Sequence, residues 1–454
     1  MSDELVYASN LKIEEVIITG VDGDSFNITP LVIRFDYFED ISLPTISANL
    51  DLVDSGENLI SSLPIQGYED ISIKARDVGE QEIEYEFKVY KIYNRYMGDR
   101  FQRYSLGLIS REALINETVK VPRSLAGKPE GIVSSLLSTE LGSGKRVYTD
   151  PSLFKIRFLP GKRTPFSIIE SIRMKCIAET SKTTRNTSTT GSDTQKSVGT
   201  AGYYFFENKN GYYFSSIDRL NSLEKNPPQE VFTQENADIG GSPQRKILDI
   251  DFQQEIDVLT KLRMGTFSNV ICFYNYSTGA YEEYTYNLAD SFDDQEHLGS
   301  QSGLAKGQAD LGENPSRFMS VLIDHETWFD GEEVASPEKK DGGGQNTAEF
   351  PDWQKNYVAQ SIARLESQNN QQVRIQVPIR IDLCVGNTVE IQIPNQIPSA
   401  ERQPDVYDPE HSGVYLIAKL NHAVDVKNAK ANTYLTLVRD SYGRPEEPSG
   451  TATK

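Results

Sequence analysis

The chain is short of the residues that most often do chemistry: among 454 residues there are three cysteines, four histidines and two tryptophans. Cys176, Cys272 and Cys384 lie far apart, each in an apolar run. They read as buried thiols of a protein made in a reducing compartment, which excludes a disulfide frame and a zinc site. None of His297, His325, His411 and His422 has a partner at the i, i+4 spacing of a metal-binding helix. No G-x-S-x-G elbow is present, and no cysteine stands with a histidine in a nucleophile signature. Gly144-Lys145 lacks the earlier glycine and the following Ser/Thr of a phosphate loop. No apolar run approaches the roughly 20 residues of a membrane helix. The start, Met1 to Tyr7, has neither the basic nor the apolar region of a signal peptide, so membrane insertion is not expected and sequons such as Asn27 and Asn116 carry no glycosylation meaning. Basic charge is scarce too: 46 Lys and Arg against 66 Asp and Glu leave a net charge of −20. That excludes a surface built on phosphate neutralisation, although a negative wall suits a passage that DNA slides through.

Carboxylates are abundant, so an acid pair of the glycosidase kind stays open. The clusters Asp290 to Glu296 and Asp330 to Glu333 lack the twelve-residue ligand spacing of an EF-hand and read as solvated loop charge. The expected catalytic, cofactor-binding and metal residues are therefore none.

Two-residue alternation is plentiful. Val16 to Thr19 and Phe26 to Ile28 flank Asp22-Gly23, a hairpin signal. Ile33, Phe35 and Tyr37 alternate with Arg34 and Asp36; Ile46, Ala48, Leu50 and Leu52 with Ser47, Asn49 and Asp51; Ile83, Tyr85, Phe87 and Val89 with Glu84, Glu86 and Lys88. One polar face means half-buried antiparallel strands, enough of them to close a small barrel that leaves no exposed edge. A helical period follows in Ile132, Val133, Leu136, Leu137 and Leu141, opened by Lys128 to Gly131 and ended by Gly142. Strand-like segments resume at Ile247 to Phe252, Val270 to Tyr274 and Tyr281 to Tyr286. They return at Val373 to Val377, Ile379 to Leu383, Val389 to Ile393, Val414 to Leu420 and Tyr434 to Val438. The expected helix 352–366 between them has Asp352 as N-cap and a stripe of Trp353, Tyr357, Val358, Ile362 and Leu365.

The stretch from Thr164 to Leu220 organises the rest. An amphipathic helix runs from Pro165 to Glu179, with Thr164 as N-cap and Phe166, Ile169, Ile172 and Cys176 on one face. An aromatic hairpin runs from Tyr203 to Ser216 and turns at Asn208 to Gly211, where Asn and Gly accept positive φ. Between them 181–202 is too polar to bury and is expected to be a mobile loop; 291–315 and 330–350 are polar excursions of the same kind.

This helix and hairpin resemble the stretch between the two barrels of baseplate central hub proteins of contractile-tailed phages and of the hub part of type VI secretion spike proteins. Phe166 to Glu179 and Tyr204 to Phe214 match that family's pattern. So do Ala363-Arg364-Leu365, Gly386 to Pro394 with Val389 and Ile391, Gly413 to Ile417 with His422, and Thr433 to Asp440. Order and spacing fit from about residue 11 to 442. The resemblance implies a mainly β fold with α+β insertions: two antiparallel, tube-type β-barrel modules joined by a helix-hairpin segment. The expected division is a first barrel 1–115, a connecting domain 116–242, a second barrel 243–442 split by the excursions and the helix, and a flexible tail 443–454.

The resemblance also implies a non-enzymatic hub without cofactor in a virion tail baseplate, made in the host cytoplasm. It is a homotrimer whose six barrels form a ring, so that a three-fold spike meets a six-fold tube. Its implied partners are a spike protein of tail-lysozyme or needle type, tail tube or tube-initiator proteins and baseplate wedge proteins, with DNA only passing through the lumen. Two alternatives stay open. One is a hub of a type VI or other contractile injection system. The other is a carbohydrate-binding or glycan-hydrolysing β-protein, in which Tyr203 to Phe206 would be stacking platforms.

Overall fold

The computed structural model describes residues 7–55, 65–99, 101–178, 200–234, 243–254, 257–274, 279, 281–292, 295–299, 314–322, 352–394, 407–408 and 410–442. The expectations for 181–199, for most of 291–315, for 330–350, for His325, for Glu179 and for the tail 443–454 lie outside these residues.

The alternating segments form strands and join into one thirteen-stranded sheet. Its path runs Asp249–Gln254, Gln371–Pro378, Lys430–Arg439, Gly413–Asp425, Val32–Asp40, Ser47–Asp54, Gln102–Ile109, Glu82–Met97, Asp70–Asp77, Leu11–Thr19, Ser25–Asn27. Thr388–Gln392 branches off Gly413–Asp425 and carries Val231–Thr233 parallel to it. The seam between the early and late strands is antiparallel, with Asp40 opposite Lys419 and Arg34 opposite Asp425.

The expectation of two closed β-barrels is therefore overturned: among the described residues no sheet closes on itself, and the fold is a mixed α/β one rich in strand. Closing the first set requires the outer edge of Val32–Asp40 to pair within that set, and Gly413–Asp425 occupies it instead. Joining edge to edge removes an exposed edge just as closure does. Alternation specifies which face is buried, not which strand takes the free edge.

The buried phase of the strands forms one apolar cluster across the seam, from Leu11 and Val16 through Leu50, Leu106 and Leu108 to Ile375, Leu435 and Leu437. Each such side chain contributes about 1.5–3 kcal/mol by leaving water. A second core gathers Val133, Leu137, Phe166, Ile169 and Ile172 with Tyr203, Phe205, Tyr212 and Phe214. A third, smaller one holds Phe267, Ile271 and Tyr286 against Ala359 and Ala363. It lies beside the three-stranded sheet of Ser268–Tyr274, Tyr281–Asn287 and Arg317–Leu322.

Helices form where the period of 3.6 predicts them, with altered ends. The central one is Pro165–Arg173, shorter than expected, and buries Phe166, Ile169 and Ile172. Thr164 makes no side-chain cap bond; Asn116 Oδ1 instead accepts the Phe166 N–H at 2.9 Å. Pro129–Ser135 continues as a π turn over Leu136–Glu140, and Gly142, at φ +58°, lies just past its end as the pattern predicted. Helix Asp352–Ser367 is enclosed on several sides, burying Tyr357, Ala359, Ser361, Ala363 and Arg364. Ile379 to Leu383, read as a strand, is irregular, and its alternate side chains Ile379, Ile381 and Leu383 are buried without a ladder. The short helix Val258–Met264 was not among the expected elements, although Asp257 caps its start and Gly265, at φ +74°, its end.

Candidate functional site

The aromatic hairpin, Tyr203–Asn208 against Gly211–Ser216, is a wall between two cores. Period two puts Tyr203, Phe205, Tyr212 and Phe214 into the helical core, and Tyr204, Phe206 and Tyr213 against the main sheet. Its turn is fixed by an Asx bond, Asn210 N–H to Asn208 Oδ1 at 2.9 Å. Gly211, at φ +135°, has no room for a side chain, since a Cβ there would stand 2.3 Å from the Arg146 carbonyl oxygen. All four residues from Tyr203 to Phe206 are buried, so they offer no platform to a sugar.

At the end of this wall two buried glutamates hold three parts of the chain together. Glu207 accepts hydrogen bonds from Ser110 Oγ at 2.7 Å, the Ile46 N–H at 3.1 Å and Lys145 Nζ at 2.6 Å. Lys145 also reaches Glu112 at 2.9 Å, which in turn accepts from Ser143 Oγ at 2.7 Å. Glu39 accepts from Tyr37 OH at 2.6 Å, from the Lys209 N–H at 2.8 Å and from the Val385 N–H at 2.7 Å. The turn is clamped from the far side as well: Asn208 Nδ2 donates to the Val385 carbonyl at 3.1 Å, and Lys209 Nζ to the Ile381 carbonyl. One tight turn thus joins an early strand, the connecting region and the late Ile381–Val385 segment.

The charges follow their surroundings. Burial pushes Glu39 up to about 7, against the pull of its Tyr37 and backbone donors. Burial raises Glu207 as well, with Lys145 opposing. Lys145 is drawn down by burial, but Glu207 and Glu112 together hold it above the ordinary lysine range. Burial lowers Lys209. Both carboxylates are buried with each oxygen hydrogen-bonded, which is the arrangement of a fastening.

The remaining candidates fall in place around this fastening. His422 is buried, bonded to Thr433 Oγ1 at 2.9 Å and stacked on Tyr37, and burial pulls it down to about 3. His297 Nδ1 meets Asp440 Oδ2 at 2.5 Å, and His411 Nδ1 meets Asp408 Oδ2 at 2.6 Å. All three cysteines are free; Cys176 and Cys384 are buried, while Cys272 is half-buried. Among the described residues no group of three or more His, Cys, Asp or Glu is placed to hold a metal ion. No helix among them is long and apolar enough to cross a membrane. The cavity beside His297, Gln368 and Asp440 measures about 10 Å³, room for one water, and the open depression over Asp51, Asn94, Tyr96, Phe101 and Arg103 about 530 Å³.

Sequence reasoning missed Glu39, Glu207 and Lys145 as a group. A signal existed for two of them: Glu39 follows Phe35 and Tyr37, and Glu207 follows Tyr203 and Phe205, at the buried phase of their strands.

No family model matches the sequence, and no curated protein matches it. In fold the chain is similar to the tail protein of Neisseria meningitidis MC58, at 11% identity and TM-score 0.51, over 95% of this chain and 99% of that one. It is also similar to the 43 kDa tail protein of prophage MuSo2 from Shewanella oneidensis, at 8% identity and TM-score 0.49, over 94% and 98%. An E. coli component of the type VI secretion system, described as similar to the T4 tail proteins gp27 and gp5, matches at 9% identity and TM-score 0.41, over 96% and 79%. The chain thus shares its fold with the Neisseria tail protein.

Proposed function

We propose that this chain is the structural hub of a phage tail baseplate, three copies of which join a central spike to the tail tube around a passage for DNA. The observation that carries the reading is the fold shared with the Neisseria tail protein across nearly the full length of both chains. Two further features support it. The hairpin is fastened by buried polar groups where a catalytic site would leave an opening, which suits a part that bears load. The net charge of −20 suits a conduit wall that repels phosphate. The six-barrel argument for a ring no longer applies, but three copies still present six strand sets, an early and a late one from each. On this reading the spike, of needle or tail-lysozyme type, lies on one side and tube or tube-initiator proteins on the other, with wedge proteins outside. The carboxylate excess faces the lumen.

Light scattering across a concentration series tests the assembly. The expected mass is three times that of the chain, with three-fold rings in negative-stain electron microscopy. A strict monomer throughout overturns the self-assembled ring.

A further inference from the structure

Among the described residues, no strand pairs with one side of the outer half of Glu82–Met97. Asp70–Asp77 pairs with Glu82 to Lys88, and Tyr68 and Glu69 bond the backbone of Val89, so among the described residues that edge is open from Tyr90 to Met97 while Gln102–Ile109 covers the other. The open part is aromatic and basic. Tyr90, Tyr96 and Met97 are exposed, the last two by 62% and 64%. From Lys88 to Arg103 there are five basic residues and one acidic, in a chain of net charge −20. These side chains are held in place. The Tyr90 ring lies over Gly107, where a Cβ would stand 2.9 Å from it, Tyr96 packs with Phe101 at 6.0 Å between centroids, and Lys91 Nζ sits 4.7 Å over the Tyr93 ring. Such fixed tyrosines and cations lose little entropy on docking.

The opposite character occurs at the other end of the same sheet. Asp249–Gln254 is the terminal strand and, among the described residues, pairs only with Gln371–Pro378. From Asp249 to Asp257 there are four acidic residues and no basic one. Leu248 and Phe252 are exposed beside Asp249 and Asp251.

We infer that a second copy of this chain docks here: Lys91 and Arg95, with Tyr90, Tyr96 and Met97, of one copy meet Asp249 and Asp251, with Leu248 and Phe252, of the next. The surfaces are unlike, so the contact is head-to-tail, and with the three copies of the hub reading it would close into a ring. Irregularities in the Glu82–Met97 ladder at Val89/Lys91 and Tyr93/Tyr96 break the regular edge, which makes the contact one of side chains and not a long backbone ladder. This deepens the hub reading by naming its intersubunit surface, and takes from it only the number of copies.

Charge reversal tests the pairing. K91E/R95E and D249K/D251K each remove the attraction at every interface of a ring, and both sets of positions are exposed, so thermal melting of the monomer is expected to stay unchanged. Each is expected to raise the concentration needed for association by about tenfold or more. The fourfold variant, with both edges reversed, is expected to regain the wild-type mass. Association unaffected by either reversal overturns this interface and leaves the hub reading standing. Loss without recovery in the fourfold variant also overturns it. A wild type that is monomeric throughout overturns this interface together with the self-assembled ring.

Discussion

Gly386 shows how a single residue ties the hairpin to the sheet. It sits at φ +89°, donates its N–H to the Ile417 carbonyl at 3.1 Å, and faces the Phe206 ring so closely that a Cβ would stand 2.7 Å from it. Gly413 does the same for Arg439, whose guanidinium a Cβ there would meet at 2.8 Å. Arg439 is fully buried, bonded to Gln371 Oε1 at 2.8 Å and laid over the Tyr415 ring. The spaced glycines, tyrosine and arginine legible in the sequence are thus parts of two interlocking contacts. Gly386→Ala combines backbone strain with overpacking and is expected to cost about 1–3 kcal/mol in urea denaturation. Phe206→Leu in the same chain relieves the overpacking but not the strain. The double variant should therefore be more stable than the sum of the singles by about 1 kcal/mol. Strict additivity would show that the ring does not press on Gly386.

Among elements, the hairpin turn depends on the ionisation of Glu39. Its carboxyl titrates near 7 in the fold, because burial outweighs its three donors, against an ordinary value of 4.5. A raised carboxyl is most favourable to the fold while protonated. Its contribution is complete below pH 4.5 and is lost as pH rises through about 7. The span corresponds to a loss of about 3 kcal/mol between pH 4.5 and pH 8. Melting of the wild type at pH 5 and pH 8 should show this loss, and Glu39→Gln should flatten it; an equal slope in both would assign the dependence to other groups. The turn itself was readable from Asn208 to Gly211, and the helix before it from its apolar period. Its fastening was not, because Lys145 lies 62 residues from Glu207 and Glu39 lies 170 from Lys209. Local patterns report which face of a strand is buried, and a polar residue at a buried phase reads as an irregularity until its partner is seen.

On the scale of the whole molecule, the seam between Val32–Asp40 and Gly413–Asp425 decides how the chain holds together. Alternation marked most of the strands, but nothing local in Phe35 or Val424, 389 positions apart, says that they pair with each other. Two closed barrels would be separate cooperative units, each opening with its own free energy. One sheet with one apolar cluster running through the seam has no such boundary. Hydrogen exchange distinguishes the two cases. Amides of Val32–Asp40 and Gly413–Asp425 should be protected to the same degree, close to the global stability, and Val424→Ala should lower the protection of Ser47–Asp54 and Lys430–Arg439 together. Val424 is buried on the seam opposite Phe35, so the cavity it leaves is shared by both strand sets and costs about 1–3 kcal/mol. If protection fell only in the late strands, the early set would be an independent unit, and the seam a contact between two bodies instead of the spine of one.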